Sequence, residues 1–69
     1  MTLEELRKEA EEALRTGSGN VILRIPKGKF PRRFPRGELL AEEKINGTIC
    51  RIYRFDAWRV LEFVKKRQP

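Results

Sequence analysis

A chain of 69 residues with no histidine and a single cysteine has little equipment for catalysis or metal binding. His-dependent triads, His or Cys-cluster metal sites and an internal disulfide are all excluded. Its 16 Lys+Arg against 10 Asp+Glu leave a net charge of +6, so the natural partner is anionic: nucleic acid or an acidic protein surface.

The length sets one small domain over residues 1–69. Such a domain buries only about 60% of its unfolded surface, and a homodimer is one remedy for the resulting marginal stability. A lone cysteine fits a reducing, cytoplasmic setting. No long apolar run is present, so no membrane span is expected, and the charged N-terminus lacks the apolar core of a secretion signal. The charge is unevenly placed. Residues 1–15 carry five acids and three bases, a net of −2, while residues 16–69 carry thirteen bases and five acids, a net of +8.

Thr2-Leu3-Glu4-Glu5 has the capping-box pattern, and Leu3, Leu6, Ala10, Ala13 and Leu14 fall on one helical stripe. The spacing predicts a helix over 3–15, stopped by Thr16-Gly17-Ser18-Gly19-Asn20. Val21-Ile22-Leu23-Arg24-Ile25 is β-branched and apolar and predicts a short strand. Further on, 38–45 and 48–55 flank Asn46-Gly47, the strongest short hairpin signal. In that register Glu42 faces Arg51, Glu43 faces Cys50, Ala41 faces Ile52 and Leu40 faces Tyr53. Leu39, Ala41, Cys50 and Ile52 then share one face, and Leu40, Ile49, Tyr53 and Phe55 the other. Neither face is cleanly polar. Asp56 is placed to cap a closing helix over 56–67, with Phe55 and Val60 at staple spacing. Ala57, Val60, Leu61 and Val64 form its buried stripe, with Trp58 and Phe63 on the shoulders.

Between the first strand and the hairpin lies Arg24 to Gly37, reading R-I-P-K-G-K-F-P-R-R-F-P-R-G. It holds six cations and no acid, and Phe30-Pro31-Arg32 recurs as Phe34-Pro35-Arg36. Each proline pushes the residue before it toward extended geometry, which excludes a helix and makes a stiff ribbon cheap to order. Two readings follow. The ribbon is a phosphate-tracking arm with aromatics free to stack on bases, or its phenylalanines clamp the core while the cations are merely solvated.

Catalytic candidates are weak. Asp56 is better explained as a cap. Glu42 and Glu43 point to opposite faces of one strand, and Cys50 reads as a packed thiol. A non-enzymatic protein without metal or cofactor is expected.

Two resemblances bear on these segments. Phe34-Pro35-Arg36-Gly37-Glu38-Leu39-Leu40, an Asn-Gly turn, and Tyr53 to Val64 (Y-R-F-D-A-W-R-V-L-E-F-V) resemble short accessory proteins of phages and prophages. That class includes inhibitors of host defence, such as anti-CRISPR proteins, and of host polymerases. Gly28-Lys29-Phe30-Pro31, a hairpin and a closing helix are similar to the wing and last helix of excisionase-type winged-helix DNA binders. That family places a helix-turn-helix ahead of the G-K-x-P segment, where this chain has the β-branched run ending at Pro26.

The expected fold is α+β, a small three-stranded antiparallel sheet flanked by an N-terminal and a C-terminal helix in the order α-β-β-β-α. The candidate binding residues are Arg24, Lys27, Lys29, Phe30, Arg32, Arg33, Phe34, Arg36, Arg51 and Arg54, with the C-terminal cations as a second row. The leading expectation is a nucleic-acid binder. The alternatives are an inhibitor docking on an acidic host-protein site, and an assembly subunit.

Overall fold

The computed structural model describes residues 2–67. The elements follow the expected order: α1 Leu3–Thr16, β1 Asn20–Pro26, β2 Glu38–Ile45, β3 Thr48–Asp56 and α2 Ala57–Arg67. Among the described residues no helix is long and apolar enough to cross a membrane.

The start of α1 follows from its first four described residues. The Glu5 amide donates to Thr2 Oγ1 at 3.2 Å, and the Thr2 amide donates to Glu5 Oε1 at 3.2 Å. This capping box satisfies two amides that the helix leaves orphaned. Gly17 ends the helix at φ 85°, a left-handed conformation that glycine adopts without a Cβ penalty. Asp56 was expected inside α2 as its cap, but it closes β3 opposite Asn20. Its carboxylate lies 3.9 Å from Arg59 Nε, so it serves the helix start as a nearby negative charge.

The sheet is antiparallel with strand order β1-β3-β2, so β3 is central. Both helices lie on the face that carries Val21, Leu23 and Phe55, which join Leu6, Ala10, Ala13, Ala57, Val60, Leu61, Phe63 and Val64 in one core. The alanines in the α1 stripe have a use: α1 meets α2 more extensively than it meets the sheet, and small side chains let two helices approach. Trp58, expected on the shoulder of the buried stripe, points away and is 61% exposed.

The Asn46-Gly47 turn has φ 48° and 83° at its two central residues, as a type I′ turn requires. Ala41, Glu42 and Glu43 pair with Ile52, Arg51 and Cys50 as the hairpin predicts. One pairing differs. Tyr53 lies opposite Leu39 rather than Leu40, because a β-bulge falls between Leu39 and Ala41. One inserted residue reverses the alternation. Leu39 therefore belongs with Tyr53 on the helix side, not with Ala41, Cys50 and Ile52.

No helix reaches over β2, and every residue of that strand is exposed. Cys50 is buried, at 8% exposure, yet it stands outside the core. Its parity puts it on the helix-free face, between Pro26 and Glu43. There the Arg24–Glu43 ion pair, at 3.5 Å, reaches across β3 beside it.

Candidate functional site

The strand order explains why the basic stretch exists. β1 and β2 run parallel on either side of β3, so the chain must travel back along the sheet to get from Pro26 to Glu38. Parallel strands need such a crossover, usually a helix. Here prolines forbid a helix, and residues 27–37 make the crossing as two consecutive turns.

In the first turn the Lys29 amide donates to the Pro26 carbonyl at 3.1 Å, with Gly28 at φ 83°. In the second the Phe34 amide donates to the Pro31 carbonyl at 3.3 Å, with Arg33 at φ 62°. Each turn therefore opens on proline, follows with a cation, and needs a positive φ third. The F-P-R repeat visible in the sequence is not the repeating structural unit, which is Pro-cation-(positive φ)-X. The cations accordingly stand at two turns instead of along one straight ribbon.

The phenylalanines face inward. Phe34 is edge-on to both Phe55 and Phe63, with ring centroids 4.9 Å from each. Phe30 packs edge-on to Tyr53 at 5.0 Å and beside Phe34 at 6.0 Å. Of the two readings of these rings, clamping is the one realised for Phe34, which is half-buried against the core. Phe30 keeps 41% of its surface exposed. The crossover then closes down on the sheet at Gly37, where a Cβ would stand 2.4 Å from the Phe55 ring.

The second turn is docked on the end of α2. Arg67 donates from its guanidinium to the Arg32 carbonyl and stacks over the Phe63 ring, 4.7 Å from its centroid. Between turn and helix lies an open cleft of about 1070 Å³, reached also by Leu3 of α1. Its walls carry Arg32 and Arg33 from the turn and Arg59, Lys66 and Arg67 from the helix; among the described residues Glu62 is the one acid lining it.

The ten residues singled out from sequence are thereby sorted. Arg51 pairs with Glu42 at 3.0 Å, Arg54 with Glu38, and Arg24 with Glu43. The hydrogen bonds that Arg51 donates to Glu42 and then to Tyr53 raise its pKa above the ordinary value. β2 thus neutralises the three arginines of β1 and β3. Lys27, Lys29, Arg32, Arg33 and Arg36 are exposed, and among the described residues none has a carboxylate within 4 Å. Only Arg32 and Arg33 of the ten line the cleft.

Arg59 was missed by sequence reasoning, while Lys66 and Arg67 entered it among the C-terminal cations of the second row. Their signal was present: Arg59, Phe63, Lys66 and Arg67 recur at helical spacing and so form one stripe. What it faces becomes visible only once the crossover is placed. Comparison with protein-family models, with curated proteins and with solved structures finds no match to this chain.

Proposed function

We propose that the protein is a non-enzymatic binder of nucleic acid that grips the phosphate backbone in the cleft between the second crossover turn and α2. One observation carries the reading: five cations from two segments converge on one concave surface that has, among the described residues, a single acid. Clustered guanidinium and ammonium groups on a shaped surface release counterions from a polyanion, which is the main source of sequence-independent affinity. Arg24, Arg51 and Arg54 are spoken for by carboxylates and contribute less, and Arg59 shares its charge more loosely with Asp56 at 3.9 Å.

The test is affinity against salt. Three to five phosphate contacts give a slope of log K against log salt of about −3 to −4.5 on duplex and about −2 to −3.5 on a single strand. Arg33→Ala with Lys66→Ala flattens that slope, while Arg51→Ala leaves it nearly unchanged. If neither DNA nor RNA binds at low salt, the reading fails. The same face then belongs to an acidic protein, as the resemblance to phage inhibitors implies. Capture from host lysate that survives nuclease treatment would identify that partner.

A further inference from the structure

Trp58 is the only tryptophan in the chain, and it is 61% exposed. Tryptophan joins a large aromatic face to a polar N–H, the combination that is enriched at binding interfaces. Its place on α2 is fixed by the stripe that the helix buries. Ala57, Val60, Leu61 and Val64 face the core, which turns Trp58 outward beside Arg59. One turn on, at i+4, stands Glu62, which lines the cleft. The indole itself is not part of the cleft lining; it stands just outside it, with Glu62 between it and the stripe that carries Arg59 and Lys66.

We infer that Trp58 is a base-stacking platform and that the cleft takes single-stranded nucleic acid. The inference rests on the phosphate-binding reading above. A strand laid along α2 puts its phosphates on the Arg59–Lys66 stripe and turns a base toward the neighbouring indole. Every base has a π-face, so the contact is tolerant of sequence. A duplex offers the same phosphates but keeps its base faces stacked inside. Of the crossover phenylalanines, Phe34 is held between Phe55 and Phe63, and Phe30, though part-exposed, is packed edge-on to Tyr53.

A lone tryptophan is its own reporter. Oligo-dT of about twelve nucleotides, within the usual site sizes, is titrated into the protein and compared with its oligo-dA duplex. The expected result is quenching of tryptophan fluorescence by the single strand and much less by the duplex. Trp58→Ala weakens oligo-dT binding, read by anisotropy of a labelled strand, by roughly five- to 150-fold while duplex affinity is unchanged. Trp58→Phe restores much of the loss, which separates stacking from any effect of the alanine on the helix. Salt-dependent binding of both probes, with no quenching and no effect of Trp58→Ala, overturns the stacking inference and leaves backbone binding standing. Binding of neither probe at low salt overturns both.

Discussion

Two residues of the crossover show opposite relations between backbone and side chain. Arg33 holds φ 62°, a region where an L side chain costs about 1–2 kcal/mol and where glycine is usual. Gly28 fills the equivalent position in the first turn. An arginine kept in a strained conformation at the cleft wall is what a functional side chain looks like. Arg33→Gly should therefore raise stability by roughly 0.5–1 kcal/mol, after allowing for the greater freedom of glycine in the unfolded chain. The same change should weaken nucleic-acid binding. A melting temperature that falls, or an affinity that holds, would contradict this account. Gly37 is the converse case: its backbone is ordinary, and the neighbouring ring allows no side chain. Gly37→Ala drives a methyl into Phe55, which is nearly fully buried, and overpacking of this kind costs about 1–3 kcal/mol. Chemical denaturation would measure it. Nothing in the sequence marks Gly37 as more constrained than Gly28, because its partner lies on a strand eighteen positions away.

At the level of elements, the sequence was most legible where structure is local. The capping box, the Asn-Gly turn and the two apolar stripes each rest on residues a few positions apart, and each is found where periodicity puts it. Proline geometry excluded a helix between β1 and β2 for the same reason. The bulge at Leu39–Ala41 was not legible, since register beyond the first few hairpin pairs depends on what packs against each face. The burial of Phe34 depends on the order of strands, and adjacent strands in sequence need not be adjacent in the sheet. The local part also predicts a pH response. The Thr2 amide, then the Thr2 hydroxyl, hold the Glu5 carboxyl below its usual range. A depressed folded pKa gives stability that is present above the unfolded value and lost as pH falls through the folded one. The start of α1 should thus fray on acidification, and Glu5→Gln should blunt the acid side of the melting profile. An unaltered profile would remove Glu5 from the cap. Because the group is fully exposed, the effect is small and will be seen best in helix-specific signals.

Across the whole molecule the charges are segregated by layer. Acids of β2 pair with the arginines of the sheet, acids of α1 lie along the N-terminal helix with partners at Arg7 and Arg15, and the second crossover turn and α2 hold the convergent cations. Net charge points from the sequence toward an anionic partner, but not to a face, since any of the 16 cations was eligible until the pairs were known. The segregation predicts which charge removals matter: Glu62→Gln, which removes the one acid among the described residues of the cleft, should tighten nucleic-acid binding severalfold at low salt and little at high salt. An unchanged affinity at low salt would mean that the ligand does not run along this wall.

The strand that neutralises the sheet is also the one that no helix packs against. β2 has β3 as its only neighbour among the elements, so it can open without disturbing either helix. Such a unit exchanges its amide hydrogens through a local opening of lower free energy than global unfolding. β3 should then show a two-beat rhythm in hydrogen exchange, with amides bonded to β2 exchanging sooner than those bonded to β1. Opening also uncovers Arg24, Arg51 and Arg54, and whatever binds the open form better shifts the population toward it. A long polyanion at low salt should therefore speed exchange along the β2–β3 hairpin while slowing it in α2, so that one ligand loosens one edge of the protein as it tightens the other.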